Sequence, residues 1–208
     1  MKQKILLVDV GHGGRDPFSG EYTTDPRTGK KFKHKKGDFH GSGWFYEGVS
    51  NRIFGAEFIS QATRAGFMCV PVSHPSRDTT LMQRIRFANY YYKEINSDCV
   101  FVSFHSNAFK QVHRGFQVYH HPNSSKGREL ASSIADTTEF VFLEYDSIWK
   151  ANPVKTANYA VLRATKMPAV LIENGFFDNY EDALLLMQPE FVADVCRGIL
   201  NGILKLYG

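Results

Sequence analysis

Apolar and polar positions divide this chain into alternating strand-like and helix-like runs. Ile5-Leu6-Leu7-Val8 is a continuous apolar run, short enough for a buried strand, and Asp9-Val10-Gly11-His12-Gly13-Gly14 follows it. Glycines there permit a sharp turn and leave open space around the imidazole. From Pro17 to Trp44 the chain is rich in Gly, Lys, Thr and Asp, with almost no apolar residues to bury. A segment of that length reads as a solvated, mobile insertion or a binding lid, with His34 and His40 as surface residues. Helical spacing resumes at Glu47 and runs to about Ala65, with Val49, Ile53, Ala56 and Ile59 as its apolar stripe and Gly66 as its stop.

Phe67 to Val70 reads as the next strand, and Leu81 to Ile95 as a helix with Ile85, Ala88 and Tyr92 on one face. Cys99 to Phe104 is strongly β-prone and leads into His105-Ser106-Asn107. Gly115 to Tyr119 is a further strand, and Lys126 to Phe142 a helix. Tyr159 to Leu162 is expected to be extended. Ala169 to Ile172 is a fully apolar strand ending in Glu173-Asn174-Gly175, and helices over 181–187 and 189–206 close the chain. This alternation predicts an α/β fold: a single domain over residues 1–208, with a twisted, largely parallel sheet flanked by helices on both faces. Residues 17–44 form a long basic loop after the first strand.

Composition changes this picture little. The chain has 208 residues, enough for one full core, and its 43% hydrophobic and 22% charged residues are ordinary for a globular protein. A net charge of +4 permits an anionic partner without demanding one. The lysines of the loop lack interleaved aromatics, which argues against nucleic acid. Cys69, Cys99 and Cys196 form no Cys-x-x-Cys and read as buried free thiols. Met1 to Ile5 passes straight into the first strand with no apolar leader, and no run reaches transmembrane length. The expectation is a monomer made in the cytoplasm, without stable membrane insertion.

Candidate chemistry lies where apolar runs end. His12, His105 and Glu173 each follow one, and in a parallel sheet those ends share an edge. Glu47 begins a helix that returns to the same edge. Two imidazoles, a carboxylate and an open position make a common catalytic zinc site. A second carboxylate outside the metal shell would serve as general acid/base. The residues themselves leave open which glutamate does which job, and allow Glu47 merely to complement its helix dipole.

Several stretches together resemble a known family, the zinc-dependent N-acetylmuramoyl-L-alanine amidases of the third amidase type. These are Leu7 to Gly14 (with Val10 where proline is usual), Glu47-Gly48-Val49-Ser50-Asn51, Arg84-Ile85-Arg86-Phe87-Ala88-Asn89, Val102 to Ala108, and Val161-Leu162-Arg163 with Met167 to Phe176. The resemblance implies one zinc ion bound by His12, Glu47 and His105, with Glu173 as catalytic acid/base. Asn107 and Asn174 are its candidate substrate contacts, and Asp9 a supporting residue beneath the turn. His74 stands where an arginine often follows the second strand, while His113, His120 and His121 match no family ligand and read as exposed.

The implied function is hydrolysis of the amide between N-acetylmuramic acid and L-alanine in peptidoglycan, in the periplasm or cell wall. A phage-type lysis enzyme helped by a holin-like permeabilising partner fits the absence of a leader. A zinc peptidase acting on small peptides and a non-catalytic wall-binding module are the competing readings.

Overall fold

The computed structural model describes residues 4–41, 43–145 and 153–208. The start of the leader reading, Met1 to Gln3, lies outside them. The chain begins with β1 (Ile5–Val10), crosses a small hairpin of β2 (Lys31–Lys33) and β3 (Trp44–Tyr46), and enters α1 (Glu47–Arg64). Next come β4 (Met68–Pro71), α2 (Leu81–Tyr90) with a wide turn over Tyr91–Ile95, β5 (Cys99–Asn107), β6 (Gln117–His120) and α3 (Ser125–Glu144). The chain ends with β7 (Val154–Thr156), α4 (Ala160–Ala164), β8 (Ala169–Phe176), α5 (Tyr180–Leu185) and α6 (Pro189–Tyr207).

The main sheet has six strands in the order β4-β1-β5-β8-β6-β7. The first four are mutually parallel, whereas β6 runs antiparallel to β8 and takes β7 with it. Strand alternation sorts side chains between two cores. Leu6, Val8, Val102, Phe104, Val170 and Ile172 join the cluster under α1, α3 and α6. Ile5, Leu7, Phe101, Ala169 and Leu171 join the one under α2 and α4. Helices thus cover both faces, and Asp9, Ser103, His105 and Glu173 follow the second parity.

Four local expectations are corrected. The buried face of α1 carries Ser50, Asn51, Phe54, Phe58 and Ala62, while Ile53 of the expected stripe is 42% exposed. Aromatic bulk selected that face: Phe58 packs on Phe104 beneath the sheet edge. Tyr159 to Leu162 is not extended, because its last three residues open α4, which buries Val161 and Leu162 against the second core. His120 is buried, and His113 and His121 are half-buried rather than exposed.

The fourth correction concerns the 17–44 segment, which is docked onto the domain. Phe39 and Phe45 are buried in the first core, and Phe45 stacks on Phe177. His34 is buried too, and its Nε2 donates to the Phe177 carbonyl at 3.0 Å. Phe39, the adjoining Phe45 and a satisfied histidine suffice to dock an otherwise polar segment.

His40 sits in the left-handed region at φ 48°, and its Nδ1 accepts from the Tyr46 amide at 3.0 Å. Burial, and then the charge of Arg15, hold its imidazole down at about 4. The folded form therefore refuses a proton that the unfolded chain accepts near pH ~6.5. This contribution to stability is complete above about pH 6.5 and is lost as pH falls towards 4. Thermal melts should fall more steeply over that window for the wild type than for His40→Asn, which tolerates the backbone. Equal slopes would remove His40 from the account.

Candidate metal centre

Each side chain of the centre is delivered by a different element. β1 stops at Val10, and His12 stands on the turn beyond it with φ 61°, a left-handed backbone unusual for histidine. Gly11, beside it, leaves room for the His105 imidazole: a Cβ there would come within 2.0 Å of His105 Cε1. Glu47 is the first residue of α1 and is fully buried. Gly48 lets that helix start touch the turn, since a Cβ at this position would meet the Gly13 carbonyl at 1.9 Å. His105 lies within β5, in register with Glu173 of β8.

Together His12, Glu47 and His105 form a group able to hold a metal ion, their donor atoms all within 4.8 Å of one another. His105 Nδ1 lies 3.0 Å and His12 Nε2 3.3 Å from the same oxygen of Glu47, Oε1. The two rings meet edge to face with centroids 5.1 Å apart. His12 Nε2 is buried and makes no hydrogen bond, so a donor is left facing inward. Two imidazoles and one carboxylate are one of the donor sets that hold a catalytic zinc, with a position left for water or substrate.

Burial would raise the Glu47 carboxyl, but His12, His105 and Lys30 outweigh it and hold the group well below the usual range. Burial pushes the His105 imidazole down, which favours the neutral, ligating form. Glu173 is shifted the other way. Burial, then the charge of Glu47, push it well above the ordinary carboxylate range, and its Oε2 has no hydrogen-bond partner. Two buried carboxylates of opposite tendency therefore share one edge.

The surroundings are braced. Arg84 donates to Asp9 Oδ1 at 3.0 Å and to the Val10 carbonyl at 2.9 Å, while Ser103 Oγ donates to Asp9 Oδ2 at 2.6 Å. Asp9 thus fixes the strand end through Arg84 and Ser103. Asn51 Nδ2 donates to the Gly11 carbonyl at 3.2 Å. Asn174 is fully buried and its Nδ2 donates to the His105 carbonyl at 3.1 Å, so it braces β5. Asn107 is half-buried and donates to Gln117 Oε1 at 3.0 Å.

Two residues beside the centre escaped sequence reasoning. Lys30, one of many lysines in the insertion, places Nζ 3.2 Å from Glu47 Oε2. Tyr159 lies close enough to Glu173 for that charge, after burial, to raise its phenol. A cavity of about 440 Å³ opens beside His12 and His105, walled by Thr23, Asp78, Thr80 and Arg84. A cavity of about 530 Å³ lies apart from the centre, between the insertion and the start of α5.

Residues 6–205 match the N-acetylmuramoyl-L-alanine amidase family, Amidase_3. The chain belongs to this family. It is 34% identical over 133 residues to the N-acetylmuramoyl-L-alanine amidase CwlM of Bacillus licheniformis, covering 62% of this chain and 46% of that protein. It is 35% identical over 134 residues to the endolysin of Bacillus phage SPP1, covering 61% and 45% respectively. The chain therefore spans less than half the length of these two amidase-family relatives.

Among solved structures, the fold matches an N-acetylmuramoyl-L-alanine amidase from Clostridium difficile 630 with a TM-score of 0.75 at 21% identity, covering 100% of both chains. It also matches the catalytic domain of CwlV from Bacillus (Paenibacillus) polymyxa with a TM-score of 0.74 at 22% identity, covering 98% of this chain and 97% of that one. At such identity these amidase structures bear on the fold alone.

Proposed function

We propose that the chain is a zinc-dependent N-acetylmuramoyl-L-alanine amidase, hydrolysing the amide between the lactyl group of N-acetylmuramic acid and L-alanine of the stem peptide. The observation that carries this reading is the convergence of His12, Glu47 and His105 beside a buried Glu173 whose Oε2 has no hydrogen-bond partner, in a chain of this family. The three ligands fit zinc better than calcium or magnesium, which favour all-oxygen sites. When bound, zinc supplies Lewis-acid polarisation of an amide oxygen and makes water a stronger acid.

Glu173 does the proton work. Its raised affinity for protons suits a group that takes one from the attacking water and returns it to the leaving L-alanine nitrogen. Its place across from His105 in the strand register keeps it at the substrate side without spending it as a ligand. Asn107 is held by Gln117 at the same edge and remains the candidate for a polar contact with substrate. The lysines of the insertion suit an anionic wall polymer. Among the described residues no helix is long and apolar enough to cross a membrane, and a lysis role would call for a permeabilising partner.

Digestion of purified peptidoglycan tests the reading. The expected result is release of L-alanine amino termini with no new reducing sugars, stopped by a chelator and restored by one equivalent of zinc. New amino termini within the stem peptide instead would establish a peptidase. Absence of both cleavage and bound zinc would leave a binding module.

A further inference from the structure

Lys30 stands out among the lysines of the insertion because its main chain is fixed onto the helix that carries a ligand. Its carbonyl accepts from the Glu47 amide at 3.1 Å and from the Tyr22 hydroxyl at 3.1 Å, and the next residue, Lys31, is in register with Tyr46. Tyr22 Oη in turn accepts from the Gly48 amide at 3.1 Å. The side chain, 35% exposed, reaches back over the helix start to Glu47 Oε2 at 3.2 Å. The other oxygen, Oε1, faces the two imidazoles and is within 3.5 Å of both the Asn51 side-chain amide and the Ser106 main-chain amide. The two carboxylate oxygens are therefore held by separate sets of groups.

Resting on the zinc reading above, we infer that Lys30 is a positioning residue: it engages Oε2 so that Glu47 offers the metal a single oxygen, Oε1. A carboxylate free at both oxygens can close on a metal in bidentate fashion, filling the position that a catalytic site keeps open for water or substrate. An ammonium beside Oε2 prevents this and adds positive charge next to a dication, which weakens metal binding. Lys30 thus trades metal affinity for an open coordination position, and the residue comes from the insertion rather than from the sheet.

Three measurements on the full chain decide this. Competition with a chromophoric chelator should show Lys30→Met binding zinc on the order of tenfold more tightly than the wild type, as expected for removing a neighbouring positive charge. The visible absorption of the cobalt-substituted Lys30→Met protein should weaken towards that of a five-coordinate ion. With a soluble muramoyl-peptide, kcat should fall while KM changes little. Lys30→Arg, which keeps the positive charge beside Oε2, should stay near the wild type in all three.

Thermal melts and the circular dichroism of both variants should match the wild type. If Lys30→Met loads zinc with unchanged affinity and an unchanged cobalt spectrum, Lys30 is only a solvated lysine and the inference fails. Weaker zinc binding by a folded Lys30→Met overturns it as well. Failure of the wild type itself to bind zinc would overturn the zinc reading, and this inference with it. A zinc-loaded, active wild type beside an unaffected Lys30→Met would overturn this inference alone.

Discussion

Glu173→Gln is expected to lower amide hydrolysis by about 10²- to 10⁴-fold while leaving zinc stoichiometry and thermal stability near those of the wild type, the span typical of a lost general acid/base. The glutamine amide has nearly the shape of the carboxyl group it replaces, so packing in the 8%-exposed site is kept. It cannot take up a proton and return it. Oε2 of Glu173 has no hydrogen-bond partner, so the substitution takes no partner away from a neighbouring group. His12, Glu47 and His105 make up the metal group without Glu173, which is why metal content should persist. Steady-state rates on peptidoglycan, together with metal analysis of the same sample, check both halves. Activity within a few-fold of the wild type would remove Glu173 from the proton transfer.

The second large effect is on stability. Arg84→Met is expected to destabilise the protein by about 3–5 kcal/mol, because Asp9 would be left buried with an uncompensated charge. Both partners are almost inaccessible to solvent, at 3% and 0% exposure. The guanidinium also serves the Val10 and Thr79 carbonyls and the Asp78 carboxylate, so its loss strands several acceptors together. For a chain of this size such a loss lowers the melting temperature by roughly 10 °C. Arg84→Lys should recover little, since one ammonium cannot reproduce a planar fork of donors. Removing the charge at both ends, with Asp9→Asn added to Arg84→Met, should restore part of the stability. A single-variant loss below about 1 kcal/mol in denaturant unfolding would show that the pair is not a keystone of the turn.

The Arg84 motif shows how a legible sequence feature can be structural. Arg84 to Asn89 belongs to the pattern that points to the family, yet neither end touches the metal group. Arg84 holds the end of β1, and Asn89 joins α2 to the end of α4 and the turn after it by donating to the Ala164 carbonyl and accepting from the Lys166 amide. Asn174 is a similar case, being fully buried beneath His105. In both, a polar residue next to a functional one does its work by satisfying main-chain groups that would otherwise be buried without partners.

Much of the fold was readable along the chain because the signals are local. Apolar runs of four to six residues mark β1, β5 and β8, and each carries or abuts a polar residue of the centre. Parallel pairing then brings those residues together with no further information. The longer helices were legible for the same reason, whereas the five-residue α4 was not. Helix facing was not: on α1 the choice between Ile53 and Phe54 depends on which groove the sheet edge offers. The reversed direction of β6 and the short β7 also lay beyond reach, because edge pairing is set by partners far away in sequence.

The sequence by itself determined the α/β alternation and the family, and singled out His12, Glu47, His105 and Glu173 as candidates. These rest on short-range pattern and residue type. Only the tertiary structure decided what the insertion does. Within 17–44 the lysines are alike to any local rule, and the buried aromatics are too widely spaced to form a periodic signal. Docking of Phe39 and Phe45 into the core, with the Lys30 carbonyl on the start of α1, singles out one lysine and brings it to Glu47. The physical reason is that a long polar segment takes its conformation from the surface that receives it, and that surface exists only after the sheet has formed.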